Sequence, residues 1–175
     1  MLQAYALQQV LKRMGHEPWL VRRIGRIARP PLQQGMADVA KALLGRKPAY
    51  RTFLEREYVE HRVRPFRDKY IAPVTPLLYT TDQLAERTLR DGYEALLVGS
   101  DQVWRPKYSP CITNYFLDFA EGRAVRRVAY GASFGVDEWE FSREDTARCA
   151  RLLRQFDAVS VRESSGIGLC RERLG

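Results

Sequence analysis

Apolar positions recur with helical spacing at the start of the chain and in short, strand-like runs in its second half. Leu7, Val10, Leu11 and Met14 follow the i, i+3, i+4, i+7 spacing of an amphipathic helix, and Gly15 stands where a left-handed C-terminal cap belongs. Pro18 then precedes Trp19-Leu20-Val21, which reads as a short buried strand. Pro30-Pro31 and Gly35 break the periodicity, and a short helix is expected near Met36 to Leu44. From Tyr50 to Lys69 charges alternate around Phe53, Leu54, Tyr58, Val63 and Phe66, the pattern of one or two surface helices interrupted at Pro65. Pro73 and Pro76 impose an extended passage. Thr81 or Asp82 is then placed to cap a helix that runs through Arg90 and ends near Gly92.

The second half is more regular. Ala95-Leu96-Leu97-Val98, Val128-Ala129-Tyr130 and Ala158-Val159-Ser160-Val161 are short apolar runs. Ser142 to Phe156, between the last two, is helical by pattern, with Ser142 and Asp145 resembling a capping box. Strands alternating with helices imply an α/β fold with a parallel, doubly wound sheet. No internal repeat or low-complexity tract is visible, and the length fits one domain.

Composition adds a few bounds. Hydrophobic residues at 45% and charged residues at 29% are ordinary for a folded domain and far from the composition of disorder. No apolar run approaches the roughly 20 residues that span a bilayer, and the first residues do not read as a signal peptide, so the cytoplasm is the expected compartment. Cys111, Cys149 and Cys170 are odd in number and widely spaced, which suits reduced thiols. The net charge of +8 is uneven: residues 1–69 carry 15 Lys/Arg against 6 Asp/Glu, and residues 70–175 carry 14 against 15. Such asymmetry attracts nucleic acid, anionic lipid or phosphorylated small molecules, or is simply a solvated surface; charge does not choose among them.

Each strand of the second half runs into small or polar residues: Gly99-Ser100-Asp101-Gln102, Gly131-Ala132-Ser133-Phe134-Gly135, and Arg162-Glu163-Ser164-Ser165. In open parallel sheets ligands bind outside the carboxyl ends of the strands, so these loops are expected to share one edge. Gly99 permits close approach, Asp101 is a candidate base or hydroxyl acceptor, and Gln102 a hydrogen-bond partner. Alternatively Asp101 caps a following helix and Trp104 is core. Ser133 is either a site hydroxyl or turn chemistry, and Arg162 with Glu163 either binds an anion or forms a structural ion pair. His16 and His61 lack ligand-spaced partners and read as surface residues, so no metal is expected. The acidic cluster Asp137, Glu138 and Glu140 around Trp139 reads as a solvated loop. No P-loop, G-x-G-x-x-G, G-x-S-x-G or H-E-x-x-H is present.

Five stretches in order carry a resemblance. They are Leu2-Gln3-Ala4-Tyr5-Ala6-Leu7-Gln8 with Leu11 and Gly15; Val98 to Trp104; Tyr115-Phe116-Leu117-Asp118-Phe119; Tyr130 to Gly135; and Val159-Ser160-Val161-Arg162-Glu163. Together they resemble the polysaccharide pyruvyl transferase family, with residues 22–90 matching weakly. The resemblance implies a GT-B-like architecture of two Rossmann-like domains facing a cleft. Residues 1–175 would be the N-terminal one, a single domain lacking the family's first strand, with the second domain absent and the isolated chain inactive for that reason.

The implied activity is transfer of a pyruvyl group from phosphoenolpyruvate to two hydroxyls of a sugar, forming a ketal in cell-surface polysaccharide. Phosphoenolpyruvate is a donor substrate and no cofactor is called for. Its basic binding residues are expected largely from the second domain, leaving this half the acceptor side. Asp101 is the implied catalytic residue, with Gly99, Ser100, Gln102, Ser133 and Arg162 as substrate-binding candidates. The acceptor is a saccharide or lipid-linked saccharide, which leaves association with the cytoplasmic membrane surface open. A nucleotide-sugar glycosyltransferase on a similar scaffold is the alternative. A nucleic-acid-binding module is disfavoured, because Tyr50, Phe53, Tyr58, Phe66 and Tyr70 are spaced for helix packing rather than base stacking.

Overall fold

The computed structural model describes residues 1–25, 39 and 53–175, with side chains of 53–60 left aside. The helix expected over Met36–Leu44 therefore lies outside the described residues, position 39 excepted, as do the side chains of Phe53, Leu54 and Tyr58. Described residues 1–22 and 53–77 form one compact unit, and 23–25 with 78–175 form the other.

The first unit opens with α1, Leu2–Arg13. Its end is a Schellman motif: Gly15 takes φ +87°, its N–H donates to Lys12 O at 3.0 Å, and His16 N–H donates to Leu11 O at 3.0 Å. The strand β1, Leu20–Arg23, follows. The expected burial of this run is not found, since Trp19 and Val21 are both exposed. A long helix, α2, covers Phe53–Tyr70 and passes through Pro65 without the expected interruption. Pro65 removes one backbone donor at an exposed position, while the next residue, Phe66, anchors the helix by an edge-to-face contact with Tyr5 at 5.9 Å. The strand β2, Val74–Leu78, pairs with β1 and carries Pro76 at an exposed position. Gln8 is buried, and its Nε2 ties α1 to the backbone by donating to Pro18 O at 3.0 Å and Pro73 O at 3.1 Å.

The second unit begins with α3, Thr81–Asp91, whose cap is Thr80 rather than Thr81 or Asp82. Thr80 Oγ1 accepts from Gln83 N–H at 3.2 Å and Gln83 Oε1 accepts from Thr80 N–H at 3.3 Å, a reciprocal box that neither alternative can form with a Gln or Glu three residues on. Gly92, at φ +61°, ends the helix where expected. Three parallel strands follow in the order β3 (Ala95–Ser100), β4 (Arg126–Ala132) and β5 (Ala158–Val161). The β3 to β4 connection runs through short 3₁₀ turns. The connection to β5 contains α4, Arg143–Leu153, capped by Ser142, whose Oγ accepts from Asp145 N–H at 3.0 Å. A short helix, α5, covers Ser164–Leu169.

The core lies on one face of this sheet. Leu96, Val98, Ala129 and Ala132 pack with Phe116, Phe141, Cys149, Leu152 and the fully buried Trp104, whose ring stacks on Phe116 at 4.9 Å. Burial pushes the Cys149 thiol up to about 12 and the Cys170 thiol up to about 11, so neither is a nucleophile at neutral pH. The opposite face carries Leu97, 38% exposed, and Tyr130, 62% exposed, although parallel sheets are usually covered on both faces. The strands thus form a parallel α/β arrangement, and no helix among the described residues is long and apolar enough to cross a membrane.

Candidate functional site

Register places the candidate residues side by side. Ser100 pairs with Ala132, and Ala132 pairs with Val161, so the carboxyl ends of the three strands lie on one edge. One residue beyond each stand Asp101, Ser133 and Arg162. Parallel pairing is what gathers them, since the strands all end in the same direction.

Arg162, Ser133 and Glu163 close a ring of polar contacts, and Asp101 joins it through Arg162. Arg162 Nη2 donates to Asp101 Oδ1 at 2.8 Å and to Ser133 Oγ at 3.2 Å, and its Nε donates to Glu163 Oε1 at 2.8 Å. Ser133 Oγ in turn donates to Glu163 Oε1 at 2.9 Å. The backbone supports the ring: Arg162 N–H donates to Ala132 O at 3.0 Å, and Trp104 N–H to Ser133 O at 3.0 Å. Ser133 is wholly buried, whereas the Asp101 side chain is 58% exposed, so the ring runs from the protein interior to solvent. The Asp101 carboxylate, and Glu163 after it, hold the Arg162 guanidinium above its ordinary value. Both readings of Arg162 and Glu163 meet here, since they pair with each other and also reach across to Asp101.

The loop bearing Asp101 is strained. Ser100 adopts φ +109° and Gln102 φ +50°, left-handed values that favour glycine, and the 3₁₀ turn that follows, Pro106–Tyr108, starts from Arg105 and is not capped by Asp101. Strain of about 1–3 kcal/mol at such positions persists only where the surroundings enforce it, and it clusters at functional sites. Here it coincides with a register shift between Gly99 and Ser100. Gly99 has a packing role, because a Cβ there would lie 2.1 Å from Tyr130 O.

A second network adjoins the first. The Gln102 side chain lies across Gly135, where a Cβ would come within 2.3 Å of Gln102 Cγ. Arg105 Nη1 donates to Gln102 Oε1 at 2.9 Å, and the same guanidinium grips Glu140 with two bonds of 2.8 Å. Glu140 lies in the exposed loop expected of it and, beyond that expectation, anchors this clamp. Its partner is 35 residues away, which no local pattern reveals, although Arg105 at i+3 from Gln102 was a usable signal. The Tyr115–Phe119 stretch is structural: Phe116 underlies Trp104, and Asp118 accepts from Thr113 Oγ1 at 2.6 Å and Asn114 Nδ2 at 2.9 Å. His16 and His61 are exposed, and among the described residues no cluster of His, Cys, Asp and Glu is close enough to hold a metal.

A family model described as polysaccharide pyruvyl transferase matches residues 1–175, the whole chain. The chain belongs to the polysaccharide pyruvyl transferase family. It is thus a chain of a transferase family, and the strand-end loops that carry the ring and the clamp lie within the matched region. No curated protein and no solved structure matches it.

Proposed function

We propose that the ring at the carboxyl edge of β3, β4 and β5 receives the acceptor sugar in a pyruvyl transfer from phosphoenolpyruvate. The observation that carries this reading is the convergence of Asp101, Ser133 and Arg162, from three separate strand ends, in one bonded cluster. Charge argues for the acceptor rather than the donor. Asp101 and Glu163 bring two carboxylates against one guanidinium, leaving the ring net negative, which suits neutral hydroxyls and disfavours a phosphorylated trianion. The basic residues that bind phosphoenolpyruvate then belong to the facing domain of a GT-B-like arrangement.

In this reaction one sugar hydroxyl adds to C2 of phosphoenolpyruvate, and a proton joins C3 to make the methyl group. The bond from C2 to the phosphate oxygen breaks, the second hydroxyl closes the ketal at C2, and its proton leaves with phosphate. The diol thus supplies both protons, one to the methyl and one to hydrogen phosphate. Asp101, exposed and fixed at its Oδ1 by Arg162, orients the attacking hydroxyl and takes its proton. Arg162 holds that carboxylate in place, Ser133 accepts from the same guanidinium and steadies it, and Gln102 donates to a neighbouring oxygen. Gly99 and Ser100 shape the loop through close packing and enforced backbone geometry.

Phosphate release by a version of this chain extended by the family's first strand and second domain tests the reading. It should require both phosphoenolpyruvate and a saccharide with a free diol, in a reaction made at the cytoplasmic face where such polymers are assembled. Turnover with a nucleotide sugar in place of phosphoenolpyruvate would overturn it in favour of a glycosyltransferase.

A further inference from the structure

We propose that Glu140 and Arg105 are positioning residues that set the orientation of the Gln102 side-chain amide, so that its Nε2 hydrogens face the acceptor sugar. The proposal rests on the acceptor-site reading above for the identity of the ligand, but the clamp itself is a property of the fold.

Arginine only donates. When Arg105 Nη1 donates to Gln102 at 2.9 Å, the accepting atom must be the amide oxygen, and the NH₂ group is thereby turned the other way. Free glutamine amides choose between two orientations, and this contact removes one of them. Arg105 is itself fixed at its other end. Its Nε and Nη2 each donate at 2.8 Å to the two oxygens of Glu140, a fork-to-fork pair with little rotational freedom, and its guanidinium lies 5.1 Å from the Tyr108 ring centroid. Gly135 closes the remaining side, because the Gln102 stem lies against its backbone where a side chain would collide. Among the described residues no acceptor is found for Nε2, so its two N–H donors are left for a ligand.

The clamp explains three features together. Gln102 accepts φ +50° with its side chain against Gly135; Gly135 has no side chain and takes φ +70°; and Glu140, 35 residues beyond Arg105, reaches back to the same loop at the surface. A donor amide of fixed sense discriminates in favour of a ligand oxygen that accepts, such as a ring or hydroxyl oxygen of a sugar. It disfavours a ligand amine or ammonium at that place.

Two readouts test this, one of them independent of pyruvyl transfer. In ¹⁵N-edited NMR of this chain, Glu140→Gln and, separately, Arg105→Lys should each move the Gln102 side-chain NH₂ pair toward the averaged position of unrestrained glutamine amides. Lysine keeps the charge but loses the fork, so two different variants guard against an effect of misfolding. In turnover assays of the version extended by the family's second domain, Glu140→Gln and Gln102→Ala should each raise KM for the acceptor about tenfold, the worth of one oriented hydrogen bond, with kcat changed less than about twofold. The double variant should be no worse than Gln102→Ala alone. Unmoved Gln102 resonances in both clamp variants, or KM effects that multiply in the double variant, would overturn the proposal. If the resonances move while phosphoenolpyruvate gives no turnover even in a version extended by the family's second domain, the clamp stands and the pyruvyl transfer reading falls.

Discussion

Arg162 Nη2 lies 2.8 Å from Asp101 Oδ1, joining residues 61 positions apart in the sequence across the ends of two strands that are not neighbours in the sheet. The contact passes over β4, whose own end contributes Ser133 to the same guanidinium at 3.2 Å.

Arg162→Gln should therefore separate function from stability. Both carboxylates lose their counter-charge, and turnover should fall about 10- to 100-fold, less than the 10²–10⁴ expected for loss of a general base. The pair is largely exposed, and exposed ion pairs add little to folding, so the melting temperature should stay within about 2 °C of the parent. A large drop in melting temperature with turnover intact would make the ion pair structural.

Gly99→Ala should do the reverse. Its methyl group would lie 2.1 Å from Tyr130 O, a backbone atom that moves only if β3 and β4 part, and a loss of about 3 kcal/mol is expected in urea denaturation.

Ser100→Gly should stabilise the chain by about 1 kcal/mol, since glycine adopts φ +109° without strain and gives back part of that gain in the unfolded state. Turnover should fall as the loop loses its enforced geometry, the usual cost of relaxing a strained site. Melting curves and turnover measured on the same preparation check both halves.

The sense of the strands and the shared edge of their loops were legible in the sequence because both follow from local pattern. Short apolar runs ending in Gly99, Gly131 and Arg162 identify the strands, and their parallel pairing does the rest. Helix ends marked by Gly15 and Gly92 were equally readable. What escaped was decided by tertiary contacts. Thr80 caps the helix where Thr81 or Asp82 was expected, because only Thr80 has a Gln or Glu three residues later. Pro65 argues for a break that the packing of Phe66 on Tyr5 overrides. Glu140 sits in an acidic run whose pattern says nothing of Arg105, and Val21 has the composition of a buried strand yet is exposed.

The clamp also has a defined pH range. Hydrogen bonding from Arg105 holds the Glu140 carboxyl below its ordinary value of 4.5, and Glu140 holds the Arg105 guanidinium above its own. A depressed carboxyl favours the native contact above the ordinary value and loses that advantage as the pH falls through the lowered one. The Gln102 side-chain resonances should accordingly be constant from about pH 5 to 8 and drift only below about 4.5. Drift beginning near pH 6 would assign the transition to another group.

The most direct measurement is the turnover of Asp101→Asn in the version extended by the family's first strand and second domain. The substitution keeps the shape of the side chain and removes its ability to accept a proton. If Asp101 takes the proton of the attacking hydroxyl, turnover falls by roughly 10²–10⁴ while phosphoenolpyruvate binding and the circular dichroism spectrum are unchanged. Undiminished turnover, or loss of the folded spectrum, would contradict a catalytic Asp101 and leave it a contact that shapes the loop.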